Sequence, residues 1–371
     1  MAARTITVNV PPRPYDAVIE TGSLARAGAA IAALIPAEAR VFVVTNPVVR
    51  GKWGSTLERS LKAAKVRADF LEIPDGERAK IMATIENLAG RMLKAGADRG
   101  TVVVAFGGGV VGDLAGFLAS VFMRGVPVIQ IPTTLLAQVD AAIGGKTAVN
   151  LSAGKNLLGT FHQPLAVLID PAVLATLPDR EFRAGLFEAL KCGVISSPEI
   201  FAFMESKRER ILERDPAALE WLIAETVAVK ARVVGADERE AGLRRILNFG
   251  HTIGHALEAE TKYKQYLHGE AVAWGMVAAT MLAVAMQKTP PEIAQRIIGA
   301  VLAYSPLPRV NVRPKSVLKR LAMDKKSRNG VPHFVLPLEI GKVEVTNEVP
   351  PEMVIHALDE VRYLSKWNAG D

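Results

Sequence analysis

Several stretches of this sequence carry residue types that do chemistry. In the first, the β-branched run TVVVAF passes directly into Gly107, Gly108, Gly109, two valines, Gly112 and Asp113. Formally this is G-x-G-x-x-G between a strand and a helix. Glycines there let the backbone approach a pyrophosphate, and the first helical turn adds amide donors and the positive end of its dipole. The familiar dinucleotide fingerprint also has an acidic residue closing the next strand. Here PVIQIP ends in Thr133 and Thr134, deep in the chain, which disfavours a standard Rossmann half and leaves a tight structural turn as the alternative. Asn46 after VFVVT, and Asp75, Gly76, Glu77 and Lys80 after the strand at Phe70, are loop positions at the carboxyl ends of strands, where α/β sheets bind ligands.

A second stretch, DAAIGGKTAVNLSAGKNLLGTFHQP, is dense in glycine and polar residues and reads as a long loop. Lys146 and Lys155 follow glycines, so their ammonium groups hang from turns where a phosphate or carboxylate also meets backbone amides, with Asn156 and His162 adding hydrogen bonds. Its length and its glycine and lysine content favour a functional loop over a merely solvated one. Beyond it stand Glu188 in FEALK, His251 and His255 in NFGHTIGH, and His268 in LHGE, from a chain with only six histidines. Two histidines at i and i+4 share a helix face, and imidazoles with a carboxylate form a divalent-metal set with an open position. Spacing leaves open which of the pair binds. The glutamate of an HExxH helix is absent, so a zinc protease is not expected. Cys192 beside Lys191 lacks activating context and reads as a buried, inert thiol.

These residues need a scaffold. From Val41, VFVVT, a helix from Gly54, ADFLEI, a helix from Ala79 to Ala95, TVVVAF, a helix from Val110 and PVIQIP alternate as βαβ units. The expectation is a doubly wound α/β domain over 1–175, then a mostly α-helical domain over 176–371. Helical periodicity dominates the latter in Ala217 to Val234, Glu270 to Met286 and Pro291 to Ala303, with a hairpin turning at Gly341 and a closing helix from Pro351. With 50% hydrophobic residues the chain is not disordered. The 45 Lys and Arg against 38 Asp and Glu are spread without a basic tract, and aromatics are 6%, so nucleic acid is not an expected partner. One cysteine, no apolar run at MAARTITVNV and short apolar stretches predict a cytoplasmic protein without a membrane span.

The segments GGGVVGDLAGFLASVFMRGVPVIQIPTTLLAQVDAAIGGKTAVN, GKNLLGTFHQP, FEALKCG, ADEREAGLRRILNFGHTIGHALE and LHGEAVAWGM together resemble 3-dehydroquinate synthase, a sugar-phosphate cyclase family, in order from about Pro74 to His268. The resemblance implies a Rossmann-like N-terminal domain and a helical C-terminal domain in a homodimer. It also implies conversion of 3-deoxy-D-arabino-heptulosonate 7-phosphate to 3-dehydroquinate and phosphate, with NAD and a divalent metal (zinc or cobalt). By motif, Glu188, His251 and His268 match metal ligands, leaving His255 to face substrate. Lys146, Lys191, Lys230, Arg244, Asn248 and Asn156 match positions around the substrate carboxylate and hydroxyls, and Arg124 with Lys325 or Lys326 matches groups near the phosphate. Asn46, Asp75, Glu77, Lys80, Gly108, Gly109, Asp113, Thr133, Thr134, Lys155 and the region of Thr176 match the cofactor side, with Asp140 and Lys146 on the same wall. Cys192 stands where the family commonly has Tyr. Related cyclases and metal-dependent glycerol-type dehydrogenases are the competing enzyme classes. A relic binding module is disfavoured, because buried charges are costly once function is lost and all of them remain.

Overall fold

The computed structural model describes residues 3–323 and 332–368, so Lys325 and Lys326 lie outside the described residues. The chain divides into two compact units, Met1–Pro178 with Arg214–Glu238, and Asp179–Glu213 with Arg239–Asp371.

In the first unit β1 (Arg4–Val8), β2 (Tyr15–Ile19), β3 (Val41–Thr45), β4 (Ala68–Glu72), β5 (Val102–Gly107), β6 (Val128–Pro132), β7 (Lys146–Leu151), β8 (Gly154–Phe161) and β9 (Ala166–Ile169) follow in sequence. Seven of them form one sheet in the order β1-β2-β9-β6-β5-β3-β4, parallel except for the β1–β2 pair. Every residue of β3, β5, β6 and β9 is buried, as expected of strands covered on both faces. Alternation splits their side chains between two cores. Phe42, Val44, Val103 and Ala105 pack with Leu88, Met92, Leu114 and Leu118 of the helices Met82–Lys94 and Gly109–Val121. Val41, Val43, Val104 and Phe106 pack on the opposite face with Ile31, Leu57 and Leu61 of Ala27–Ala32 and Ser55–Ala63. This is the doubly wound arrangement expected, with β1 and β2 added at its edge.

Two expectations need correction. The glycine-rich stretch is not a loop: β7 and β8 pair antiparallel, with Lys146 opposite Phe161 and Thr147 opposite Thr160. Thr147 and Val149 face inward while their neighbours face out, and Gly116 makes room, since a Cβ there would lie 2.4 Å from Thr147 Cγ2. β8 is mostly exposed, and Leu151, Leu157, Leu158 and Phe161 stay at the surface, so the pair lacks the inward apolar alternation that marks a strand in sequence. The second correction concerns the division near 175: the helix Pro216–Ala236 belongs to the first unit. It packs on β1 and on the turns Ala137–Ala141 and Pro171–Thr176. Arg4 Nη2 donates to Glu225 Oε1 at 2.8 Å, and Thr21 Oγ1 donates to buried Glu220 Oε2 at 2.7 Å.

The second unit is mostly helical, with the antiparallel hairpin β10 (Phe334–Glu339) and β11 (Lys342–Thr346) turning at Gly341, φ +92°. The helix His268–Ala285 runs through its core, touching the helices Asp179–Ser196, His251–Glu260, Pro291–Ala303 and Pro351–Asn368 and strand β10. It is long and apolar enough to match a bilayer span, yet 78% of that window is buried inside the protein, where Val272, Trp274, Met276 and Leu282 are core.

Candidate metal centre and dinucleotide turn

In the second unit, glycines bring three helices together backbone to backbone. A Cβ on Gly269 would sit 1.9 Å from Ala184 O, which sets the start of the His268 helix against the helix bearing Glu188. Likewise a Cβ on Gly275 would sit 1.8 Å from Gly250 O, and one on Gly254 3.0 Å from Ala271 O. Gly250 turns the chain at φ +79°, so that His251 opens its helix. His268 also opens a helix. There Glu270 Oε2 accepts from Leu267 N at 2.8 Å, and Arg180 Nε donates to Glu270 Oε1 at 2.6 Å, fixing where the first turn begins.

The result is a cluster. His251 Nε2 and His268 Nε2 each lie 3.6 Å from Glu188 Oε1, and nitrogen atoms of His251, His255 and His268 all fall within 4.8 Å of one another. His251 Nδ1 is 3.2 Å from Phe249 O, and His268 Nδ1 is 3.2 Å from Glu258 Oε2. Both contacts place the proton on Nδ1 and leave the Nε2 lone pair toward Glu188. Burial holds His251 well below the ordinary histidine range, reinforced by the Lys191 ammonium and then by His268 and His255. A neutral imidazole is the form that binds a metal. Glu188 is buried, and Lys191 Nζ forms an ion pair with its Oε2, yet neither carboxylate oxygen makes a directed hydrogen bond. A buried carboxylate without such bonds beside two Nε2 lone pairs fits a divalent zinc or cobalt ion held by three protein ligands. Nearby in sequence, Arg244 is buried in the turn Leu243–Asn248, and Asn248 Nδ2 donates to Glu240 Oε1.

The first unit places the glycine turn at the end of β5, where Gly108 caps the helix Gly109–Val121 without a side-chain acceptor and no acidic residue occupies the first turn. A Cβ at Gly108 would stand 2.9 Å from Thr134 Cγ2, so glycine keeps this floor low. Thr133 N donates to Gly107 O at 2.9 Å, while its buried Oγ1 has no partner. Uncapped helix amides, a glycine floor and an unpaired threonine hydroxyl fit a dinucleotide phosphate. Beside them, buried Lys80 donates to Asp113 Oδ2 and Asn156 Oδ1. Burial raises the Asp113 carboxyl above its usual range, Lys80 opposes that rise, and the charges of Glu77 and Asp140 add to it. Asn46 Nδ2 donates to Asp75 Oδ1 at 2.6 Å. Lys230 donates to the carbonyl and carboxylate of Asp140. Thr176 accepts from Trp53 Nε1 at 2.9 Å.

Sequence-predicted residues therefore fall into local groups. Glu188, Lys191, His251, His255 and His268 come together, as do Lys80, Asp113 and Asn156, and Lys230 with Asp140. Asn156, expected around the substrate, accepts from Lys80, which also donates to Asp113, and takes φ +55°. Arg124 is exposed at φ +72° in a turn after the glycine-turn helix, and Lys146 opens β7, exposed. Lys155 is half-buried in β8. His162 Nε2 instead meets Val126 O at 2.9 Å, and Cys192 is buried. Two residues were missed. Asn150 donates to Glu77 Oε1 at 2.7 Å and accepts from Asn156 N at 2.9 Å, joining the glycine-rich stretch to the turn that follows β4. Glu258 lies against His268. Its signal was available, two helical turns after His251 and so on the same face.

The family model for the 3-dehydroquinate synthase N-terminal domain matches residues 70–184, and that for its C-terminal domain matches residues 185–327. The 3-dehydroquinate synthase of Koribacter versatilis is 58% identical over 97% of this chain and 98% of its own. Among solved structures, 2-epi-5-epi-valiolone synthase from Streptomyces hygroscopicus, with NAD+ and Zn2+ bound, is 31% identical with a TM-score of 0.88 over 96% of this chain and 98% of its own. A 2-deoxy-scyllo-inosose synthase complexed with carbaglucose-6-phosphate, NAD+ and Co2+ is 27% identical with a TM-score of 0.85, covering 96% of this chain and 99% of its own. With two family models matching adjoining stretches over residues 70–327 and a relative this similar across nearly its whole length, the chain belongs to the 3-dehydroquinate synthase family.

Proposed function

We propose that this chain converts 3-deoxy-D-arabino-heptulosonate 7-phosphate to 3-dehydroquinate and phosphate, with NAD and a divalent metal. The observation that carries this reading is 58% identity to a 3-dehydroquinate synthase along 97% of the chain, against 31% and 27% for the two other cyclases. When bound, NAD accepts and returns a hydride, while the ion acidifies a hydroxyl and polarises a carbonyl.

The chain's own residues supply the rest. Glu188, His251 and His268 hold the ion, and His255 is left to exchange a proton with substrate at a ring nitrogen. Lys191 offsets the Glu188 charge and adds to burial in keeping His251 neutral. Arg244 offers a planar fork of donors to a carboxylate, supported by Asn248, while Lys146 and Lys230 bind hydroxyl or carboxylate oxygens and Arg124 binds the phosphate. Gly108, Gly109, Thr133 and Thr134 receive the pyrophosphate, with Asn46, Asp75, Glu77, Lys80, Asp113, Asp140 and Lys155 around the remainder of NAD, and Asn156, bonded to Lys80, faces the substrate hydroxyls. Exposed Leu151, Leu157, Leu158 and Phe161 on the β7–β8 hairpin support pairing of two copies, and the single buried cysteine suits the cytoplasm.

A dehydrogenase consumes one NAD per turnover, whereas elimination between two opposite hydride transfers leaves NAD unchanged. With substrate in large excess over NAD, many phosphates per NAD and no steady rise of NADH absorbance are expected. Phosphate release that stops at one per NAD, or NADH growing in step with substrate loss, refutes the proposal.

A further inference from the structure

We infer that Glu258 is a positioning residue for the metal centre, acting through His268; the inference rests on the assignment of Glu188, His251 and His268 as metal ligands. Glu258 is buried, 3% exposed, on the helix His251–Glu260, and its Oε2 lies 3.2 Å from His268 Nδ1. The opposite ring nitrogen, Nε2, faces Glu188 Oε1 at 3.6 Å. The ring is thus held between two carboxylates, and each meets a different nitrogen. A carboxylate at Nδ1 takes the Nδ1 proton in a hydrogen bond, selects the tautomer whose Nε2 lone pair is free, and makes that lone pair a better donor.

The arrangement at His251 differs in kind. Its Nδ1 meets only the carbonyl of Phe249, two residues away on its own chain segment. That contact is set by the local turn, whereas Glu258 spans two helices and orients the ligand of one from the other. His268 is also the less buried of the two, with 30% of its side chain exposed against 11% for His251, so packing restrains it less and a directed hydrogen bond matters more. Helix position adds a second constraint: His268 occupies the first turn, where its backbone is fixed by Glu270. With backbone and Nδ1 both tied, the ring has one orientation.

The test uses full-length protein stripped by a chelator and titrated with Co2+, followed by the visible absorption of the bound ion. Loss of such a partner weakens metal binding by about 10–100-fold. Glu258→Gln, which keeps volume and one acceptor oxygen but loses the charge, is expected near tenfold, with a shifted Co2+ spectrum and an unfolding temperature in the metal-free state equal to wild type. Glu258→Ala is expected toward a hundredfold. Unchanged Co2+ affinity and spectrum in Glu258→Gln overturn the inference. If Glu188→Gln and His268→Gln also bind Co2+ as wild type does, the ligand assignment itself has failed; if those two lose the ion while Glu258→Gln keeps it, only the positioning role has.

Discussion

Gly275→Ala adds a single methyl at the contact that sets the histidine helices. At that position a Cβ would meet Gly250 O at 1.8 Å, Gly250 C at 2.8 Å and Gly254 N at 3.0 Å. All three are backbone atoms, so no rotamer change relieves the overlap. Because carbon finds ordinary contact only at about 3.5 Å, the segment Gly250–Gly254 and the His268–Ala285 helix must part by roughly 1 Å or more. Overpacking of this kind costs about 1–3 kcal/mol, which lowers the melting temperature by several degrees. The same displacement separates His251 from His268, whose Nε2 atoms stand equally at 3.6 Å from Glu188 Oε1. Metal–ligand lengths tolerate only about 0.2 Å, so the variant should bind Co2+ at least about tenfold more weakly. Gly299→Ala is the control: it lies within the helix Pro291–Ala303 with nothing within 4 Å of its Cβ, and replacing it should stabilise by about 0.5–1 kcal/mol without touching Co2+ affinity. Thermal unfolding of metal-free protein and a Co2+ titration read both effects. A Gly275→Ala protein that melts and binds like wild type would show that the helices have slack, and that glycine does not set the site.

Lys80→Met leaves the Asp113 carboxyl buried without its cation. Removing one partner of a buried pair costs about 3–5 kcal/mol, and somewhat less here because 22% of the Asp113 side chain is exposed; adding Asp113→Asn should recover much of the loss in chemical denaturation, and no recovery would deny the pairing. The pH prediction concerns His251, faced by Lys191, His255, His268 and the Glu188 carboxylate. Its folded pKa is depressed, so below about 6.5 the unfolded chain takes up a proton that the folded chain refuses, and stability falls as pH drops, by up to about 1.4 kcal/mol per unit. In metal-free protein His251→Gln should flatten that part of the slope between pH 6.5 and 5, and an unaltered slope would show that burial does not depress this group.

Strands β3, β5 and β6 were legible because parallel strands buried on both faces appear as unbroken β-branched runs bounded by glycine or proline. β9 was not, since AVLI is only four residues long, and β1 and β2, although they alternate, lie before the first βα repeat. The hairpin of β7 and β8 was hidden by its composition, because its inner face is set only by Thr147 and Val149, with space left at Gly116, while its larger apolar residues stay exposed. The Pro216–Ala236 helix was legible as a helix but not by membership. Buried residues such as Leu219, Leu222, Val227, Val229 and Val233 point around much of its circumference, so no single apolar stripe indicates what it packs against.

The histidine cluster shows where spacing stops being informative. An i, i+4 histidine pair says that His251 and His255 share a face, and all three histidines do converge, so proximity alone does not choose among them. The two proposed ligands, His251 and His268, each set Nε2 at 3.6 Å from Glu188 Oε1 and tie the second ring nitrogen. At His251 it is tied to Phe249 O because Gly250, at φ +79°, turns the chain back on itself just before the helix begins. At His268 it is tied to a carboxylate on another helix. Each tie leaves Nε2 directed at the same oxygen of Glu188. Neither follows from residue type at a fixed interval: one depends on a left-handed backbone angle and the other on two helices touching at Gly254 and Gly275. A ligand set of this sort is therefore written partly in glycines that carry no chemistry, and substituting them should disarm the site while every histidine and the glutamate remain in the sequence.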